Sequence, residues 1–274
     1  MAQVTRADLE GGWARLGLRA GDHLVVHTAL SSFGVVAGGP AGLVESLAAW
    51  LGPVGTLMMP TATWRSSYLR SPDQPWPAGV IPYDPATTVP DADMGRVPVA
   101  LWHWPGAQRS RHPLMSVTAL GAWAARLTGD HPIDDPLRPY RVLAAQGGRV
   151  LLLGVDHTRN TTVHAAEFLA QLPHLTGPGY ALIRDLRAPN GTRIERIARE
   201  PDCSMGFERL NRRIPRREVQ IGGALAWLLE GQAVLDIAGA LIAADPGAFL
   251  CDSPVCVTCT RGHQLYGKRR AGRQ

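Results

Sequence analysis

The sequence lacks any apolar run long enough to cross a membrane. A long apolar stretch at 219–229 is interrupted by Gln and Gly, and it falls short of the roughly 18 residues that a membrane-spanning helix needs. The first ten residues, MAQVTRADLE, are charged and have no apolar core of a secretory signal. Hydrophobic residues make up 45% of the chain and charged residues 19%, a balance typical of soluble globular proteins. The sequence therefore predicts a cytoplasmic protein.

An excess of positive charge on the body of the chain is also missing. The formal net charge is +5, but residues 261–274 contain five basic side chains and no acidic one. The remaining body is formally neutral, which argues against a basic groove for nucleic acid. We expect the excess to lie in a basic, disordered tail at 261–274.

Cysteine is absent from the first 202 residues. The four cysteines are Cys203, Cys251, Cys256 and Cys259, and the last two stand in a Cys-x-x-Cys pattern. In a cytoplasmic chain this clustering favours a metal site over disulfides. Four thiolates with no open position would make a structural zinc site. His263 is an alternative fourth ligand, and four unrelated reduced thiols are the alternative without a metal.

Strand-like and helix-like patterns alternate along most of the chain, which predicts an α/β fold. Apolar runs predict buried strands, and amphipathic patterns predict helices that include one at 5–16 with Thr5 as its cap. The Pro189-Asn190-Gly191 turn, with a strand-like run on each side, predicts a C-terminal hairpin. We expect one domain at 1–260, in which 174–260 carries the hairpin and the cysteines.

The segment 149–172, RVLLLGVDHTRNTTVHAAEFLAQL, combines a strand, a turn and a helix. Its apolar start predicts a strand buried on both faces, and Asn160, Thr161 and Thr162 are candidate caps for the helix that follows. His164 and Glu167 are three residues apart and share one helix face. The arrangement puts an imidazole and a carboxylate at the carboxyl end of a strand, where open α/β sheets bind ligands. A buried structural histidine and a solvated glutamate are the alternative.

Two further stretches are candidate binding elements. Gly38-Gly39-Pro40 stands directly before a helix, and free N–H groups at a helix start bind anions such as phosphate. A simple turn is the alternative there. The long segment at 62–93 is rich in Pro and aromatic residues and carries several aspartates, which favours either a functional loop or disorder.

Several motifs together resemble the aminoglycoside 3-N-acetyltransferase family. They are VVHTALSSFGVVAGGPAGLVESL, GPVGTLMMPT, RSRHPLMSVTALG and VLLLGVDHTRNTTVHAAEFL, and they occur in family order. The C-terminal patterns EPDCSMGF and FLCDSPVCVTC are similar to those of the type IV branch, which acts on apramycin and gentamicin-type drugs. The resemblance implies a mixed central sheet flanked by helices, the antibiotic N-acetyltransferase fold, with a C-terminal hairpin and a zinc-binding portion.

The resemblance also implies an activity and a set of site residues. The activity is transfer of an acetyl group from acetyl-CoA to the 3-amino group of a 2-deoxystreptamine aminoglycoside, as antibiotic resistance. His164 would be the general base, with Glu167 or Asp202 as its partner, and the protein would be a monomer or homodimer. Acidic side chains would hold the polycationic drug, and those expected to do so are Asp84, Glu200 and Asp202. The residues expected to bind acetyl-CoA are Thr28, Leu30, Ser31, Gly38, Gly39, Arg109, Ser110 and Ser116.

One departure from the family pattern affects the substrate. Many members carry a glutamate in the helix just before the Arg-Ser-x-His-Pro block, whereas this chain reads RVPVALWHW. The accepted aminoglycoside is therefore open. Two other functions are alternatives: a same-fold enzyme that acetylates a biosynthetic amine, and a zinc-ribbon nucleic-acid-binding protein, which the neutral body disfavours.

Overall fold

The computed structural model of the protein describes residues 3–70, 73–76, 78–176, 183–188, 190–197 and 203–267. Helices and strands alternate as the sequence predicts. The helices are α1 (Arg6–Leu16), α2 (Gly39–Leu51), α3 (Arg96–Trp102), α4 (Ala124–Gly129), α5 (Arg138–Ala145), α6 (Thr161–Ala170), α7 (Pro173–Thr176), α8 (Gly231–Ala244) and α9 (Val257–Leu265). The strands are β1 (His23–Thr28), β2 (Thr56–Pro60), β3 (Ser67–Arg70), β4 (Gln108–Arg109), β5 (Val117–Gly121), β6 (Arg149–Leu153), β7 (Ile183–Arg187), β8 (Arg193–Ile197), β9 (Arg217–Ile221) and β10 (Ala224–Glu230).

A seven-stranded mixed sheet forms the centre, in the order β4-β5-β2-β1-β6-β10-β9. The three central strands β2, β1 and β6 are parallel, and antiparallel strands extend the sheet on both sides. β1 and β6 are buried on both faces, which explains their nearly continuous apolar sequence. The expected mixed sheet flanked by helices is confirmed.

Two apolar cores lie on the two faces of this sheet. One contains Leu24, Val26, Leu151 and Leu153 and is covered by α1, α2 and α3. The other contains Val25, Leu152 and Trp227 and is covered by α5, α6 and α8. Because side chains alternate along a strand, Val25 and Leu152 point to one core, and their neighbours in β1 and β6 point to the other.

The first two helices show how local sequence sets their boundaries. Thr5 and Asp8 form a reciprocal capping box at the start of α1, as the Thr5 prediction requires. Helix α2 begins at Gly39, two residues before the predicted start, because Gly38 adopts a left-handed conformation with φ of 71° and turns the chain into the helix.

A second, three-stranded sheet joins segments that are distant in sequence. The predicted hairpin forms as the antiparallel pair β7 and β8. Its other edge is occupied by β3, so that part of the segment at 62–93 is a strand and not a loop. Sequence periodicity does not identify β3, because its only ladder is with residues more than a hundred positions later in the chain.

The chain after 260 is not disordered at its start, contrary to the sequence-based expectation. Helix α9 continues to Leu265, and both Cys259 and His263 on it are buried. These side chains anchor the helix to the loop that contains Cys251, which the charge pattern alone does not reveal. Residues 268–274 lie outside the described residues.

Among the residues that the structure describes, no helix combines the length and the hydropathy needed to cross a membrane.

Buried histidines predict that acid destabilises the fold. Burial lowers the pKa of His131 and His174 to about 4, against about 6.5 in an unfolded chain. Below about pH 6.5 the folded state therefore binds fewer protons than the unfolded state, so the free energy of unfolding falls as the pH decreases towards about 4. Urea unfolding across this range measures the decrease. Replacing His131 with Gln should make the pH dependence shallower, whereas a His103→Gln control on the surface should leave it unchanged.

Candidate active site

A large cavity opens at the carboxyl ends of the parallel strands, with a volume of about 520 Å³. Its walls come from the end of β1 with the 3-10 turn that follows it, the segment before and at the start of α3, and the first turn of α6. Ser204 adds a wall from the C-terminal part. This is the position at which open α/β sheets bind ligands.

The junction between β6 and α6 presents His164 to this cavity. Gly154 ends the strand with a φ of 65°, and a Cβ there would lie 1.6 Å from Oγ of Ser32, so only glycine fits. Asp156 then accepts from the Thr158 N–H at 2.9 Å and closes a short 3-10 turn. Asn160 accepts from the Thr162 N–H at 3.1 Å and caps α6, which confirms its predicted role.

His164 and Glu167 form a hydrogen-bonded pair on one face of α6. The distance from Nδ1 of His164 to Oε2 of Glu167 is 2.7 Å, and the two side chains are only 13% and 7% exposed. Burial raises the pKa of Glu167, and the hydrogen bond from His164 opposes that shift. With Glu167 ionised, the carboxylate can only accept, so Nδ1 carries the proton and Nε2 keeps a free lone pair. The ring is also held by Phe207, edge-on at 4.6 Å.

The structure brings some of the expected acetyl-CoA residues to His164. Thr28, Leu30 and Ser31 line the same cavity. Gly38 and Gly39 do not line it; they stand at the start of α2, where a Cβ on Gly39 would meet nothing within 4 Å.

The Arg109 block lies outside the cavity lining and is bonded internally. The guanidinium of Arg109 donates to Oγ of Ser116 at 3.1 Å and to the carbonyl of Thr61 at 2.7 Å, and it lies over the rings of Tyr83 and Trp102. Ser116 donates in turn to the same Thr61 carbonyl.

Ser110 is fully buried in the same block and is bonded in the same way. Its hydroxyl accepts from the Val117 N–H at 3.0 Å and pairs with Nδ1 of His131. For Arg109, Ser110 and Ser116 alike, these contacts favour a structural role over the expected cofactor role.

Of the expected acidic residues, only Asp84 is among the residues that the structure describes. The carboxylate of Asp84 accepts from the Ala86 N–H at 2.7 Å within a turn and does not line the cavity. Asp93, from the same segment, does line it and is exposed. Glu200 and Asp202 lie outside the described residues.

Two exposed arginines on the cavity wall were not predicted from the sequence. Arg96 starts α3, in the helix that lacks the family's glutamate, and Arg159 precedes the cap of α6. Neither has a carboxylate within ion-pair distance among the described residues. In the sequence, the one signal for Arg159 at the cavity is its position directly before Asn160, because Asn160 caps the helix that carries His164.

The four cysteines meet behind this site. Their sulfur atoms all lie within 4.8 Å of one another, although Cys203 is distant in sequence from the other three. A hydrogen bond with Cys259 lowers the pKa of Cys203 to about 5, which favours the thiolate form that binds metals. Four sulfurs around one ion at about 2.3 Å would be about 3.8 Å apart, so the set fits a tetrahedral metal after a small contraction.

His263 is not part of this sulfur set. Its Nε2 lies 3.0 Å from the carbonyl oxygen of Cys251, to which it donates. A contact of this kind orients a ligand's backbone and does not itself coordinate the ion.

A family model described as aminoglycoside 3-N-acetyltransferase matches residues 25–243. The chain belongs to the aminoglycoside 3-N-acetyltransferase family. The matched range includes the end of β1, both arginines on the cavity wall, and the His164–Glu167 pair.

Curated members of the family align over most of the chain. The chain is 38% identical over 216 residues to aminoglycoside N(3)-acetyltransferase VIII of Streptomyces fradiae, which covers 74% of this chain and 73% of that protein. It is 31% identical over 251 residues to aminoglycoside N(3)-acetyltransferase IV of Salmonella sp, and the aligned region covers 89% of this chain and 90% of that protein. The type IV match thus spans more of the chain, in agreement with the resemblance.

Solved structures of the family share the fold. The apoenzyme of aminoglycoside acetyltransferase AAC(3)-IVa matches with a TM-score of 0.80 and 31% identity, over 96% of this chain and 98% of that one. A histidine-to-alanine mutant of that enzyme in complex with a gentamicin matches with a TM-score of 0.78 and 30% identity, over 96% and 98%. A binary complex of AAC-IIIb with CoASH matches with a TM-score of 0.74 and 28% identity, over 89% and 97%.

Proposed function

We propose that this protein transfers the acetyl group of acetyl-CoA to the 3-amino group of a 2-deoxystreptamine aminoglycoside, directly and within a ternary complex. The observation that carries the proposal is the His164–Glu167 pair beside a cavity that Thr28, Leu30 and Ser31 also line. The proposed base and the residues proposed to bind acetyl-CoA, at the end of β1, therefore line the same cavity. The gentamicin and CoASH complexes of related enzymes support this choice of substrates. The donor is a cytoplasmic metabolite, so we place the protein in the cytoplasm.

The geometry of His164 supports its proposed role as the general base. An amine is protonated at neutral pH and has to lose a proton before it can attack a thioester. Nε2 of His164 holds the lone pair that accepts this proton, and Glu167 stabilises the imidazolium that forms. The amine nitrogen then bonds to the acetyl carbon, the carbon–sulfur bond breaks, and the accepted proton passes to the departing CoA thiolate. The acylated nitrogen loses its second proton to solvent, which leaves a neutral amide.

The two arginine side chains on the cavity wall are suited to binding the phosphates of CoA. Arg96 and Arg159 are exposed, lack carboxylate partners among the described residues, and stand on two different walls. A guanidinium pairs with phosphate oxygens through two parallel N–H donors. We assign them the contacts to the CoA phosphates, whereas Arg109, which the resemblance places among the acetyl-CoA residues, is bonded internally.

The aminoglycoside that accepts the acetyl group is a polycation, so its binding requires carboxylates on the protein. Asp93 on the cavity wall is one source. Glu200 and Asp202 stay in the proposal as the acidic pair of the type IV pattern, and Ser204, two residues after Asp202, lines the cavity.

The cysteine set is proposed to bind a structural zinc ion. Cys203, Cys251, Cys256 and Cys259 would hold it, and four thiolates leave no position for substrate. The ion would fasten the segment that follows Cys203, in which Ser204 lines the cavity and Phe207 packs on His164.

Replacing His164 with Ala should lower kcat by roughly 10²–10⁴-fold, because the amine loses its proton acceptor. A thioester-release assay with acetyl-CoA and a panel of aminoglycosides measures the loss. A Glu167→Gln variant should be impaired less, since it removes only the charge that supports the imidazolium. His103→Ala, an exposed histidine outside the cavity, is the matched control and should retain full activity. Wild-type turnover by His164→Ala would rule out the base assignment.

Replacing Arg96 and Arg159 with Gln should raise the KM for acetyl-CoA by about tenfold or more, because charge-assisted bonds to phosphate are lost. Acetyl-pantetheine lacks the nucleotide phosphates, so the same variant should use it as well as the wild type does. Arg111→Gln, an exposed arginine off the cavity, is the control. An equal loss with both donors would contradict the phosphate role.

Metal analysis of the purified protein should find one zinc ion per chain. Cys256→Ser should lower the zinc content and the unfolding temperature, because a thiolate ligand is lost. Val255→Ser, at the neighbouring position with an 85% exposed side chain, is the matched control and should change neither. A zinc-free protein with full activity and unchanged unfolding temperature would refute the site.

A further inference from the structure

His27 is a buried histidine on the wall of the active-site cavity. It is the fifth residue of β1 and only 5% exposed, and it lines the cavity together with His164. It pairs in register with Leu152 of β6. Val25 and Leu152 both belong to the core that α6 covers, so His27 lies on the same face of the sheet as His164.

The Nε2 atom of His27 is buried and has no hydrogen-bond partner among the described residues. The hydroxyl oxygen of Thr28, the next residue of β1 and also part of the cavity lining, is unpaired in the same way. Buried polar atoms without partners are rare in native folds, because desolvation is then uncompensated. Two of them on neighbouring residues of the cavity wall, at the end of β1, indicate a place where a ligand supplies the missing partners.

Two other histidines of this protein have hydrogen-bond partners within the fold. His23, on the same strand, pairs through Nδ1 with Oγ1 of Thr56 at 2.9 Å. His131 uses both ring nitrogens, on Ser110 and on the Pro136 carbonyl. Nε2 of His157 and Nδ1 of His263 are buried and unpaired as well, but neither residue lines the cavity. His27 is distinguished by an unpaired nitrogen together with a place on the cavity wall.

The surroundings of His27 keep it uncharged. Burial lowers its pKa to about 3, and the nearby His164 and His157 lower it further in the same direction. It stays neutral when His164 accepts a proton. A neutral imidazole carries one N–H donor, which makes it suited to an oxygen that gains negative charge and unsuited to a second base role.

We propose that His27 is a further catalytic residue, whose N–H donates a hydrogen bond to the carbonyl oxygen of the acetyl thioester. This inference rests on the proposed acetyl transfer. As the amine nitrogen bonds to the carbonyl carbon, the C=O π electrons move to oxygen, and His27 stabilises that oxyanion. The C=O bond then re-forms, the carbon–sulfur bond breaks, the proton held by His164 goes to the CoA thiolate, and the amide nitrogen loses its second proton to solvent.

Two substitutions at His27 separate this role from a structural one. His27→Leu removes the donor, and kcat should fall by roughly 10²–10³-fold with little change in KM for the aminoglycoside. Its unfolding temperature should equal or exceed that of the wild type, because a buried unpaired polar atom has been replaced by an apolar group. His27→Gln keeps an N–H near the position of Nε2 and should restore part of the lost kcat.

The control on the same strand should show the opposite pattern. His23 does not line the cavity, and His23→Leu removes the hydrogen bond to Thr56. It should lower the unfolding temperature and leave kcat unchanged. Wild-type kcat in His27→Leu, or a fall in kcat that parallels a fall in unfolding temperature, would overturn the inference.

A binding measurement tests the contact independently of turnover. Acetyl-CoA has the carbonyl oxygen, whereas S-ethyl-CoA is a thioether without it. The wild type should bind acetyl-CoA more tightly, and His27→Leu should bind both with equal affinity. A protein that acetylates no aminoglycoside would refute the proposed function, but a preference for acetyl-CoA that depends on His27 would still support this contact. The same preference in both proteins would contradict it.

Discussion

The site depends on the 2.7 Å hydrogen bond between Nδ1 of His164 and the carboxylate of Glu167. Both side chains are nearly buried, so water does not compete for this bond. The bond fixes the ring orientation and leaves Nε2 with the lone pair. In the proposed reaction this atom accepts the proton of the amine, so the roles proposed for the other cavity residues are defined relative to it.

The fold supports this bond from three directions. Gly154 and the Asn160 cap set the angle at which α6 leaves the sheet, and Phe207 holds the ring from the C-terminal part. On the opposite side, β1 contributes His27 and Thr28 to the same cavity. Each support comes from a different region of sequence, so the constellation exists only when the central sheet and the C-terminal part are assembled.

Positive and neutral groups are separated within the cavity. Arg96 and Arg159 stand exposed at its wall, whereas His27 is buried and uncharged. In the proposed complex, the arginines hold phosphates by charge, and the reacting carbonyl meets a neutral donor in a drier environment, where hydrogen bonds are electrostatically stronger. The cysteine set lies behind the His164–Glu167 pair and is suited to holding in place the chain that packs on it.

The sequence by itself determined the α/β class, the strand–turn–helix unit around His164, the Asn160 cap and the hairpin. These features depend on local periodicity and capping, which are determined by residues close together in the sequence. Tertiary structure alone decided that Arg109 is bonded internally while Arg96 and Arg159 face the cavity, that β3 joins the hairpin, and that α9 continues past 260. It also decided that His27 is buried without a partner, because hydrogen-bond satisfaction depends on contacts between residues far apart in the chain.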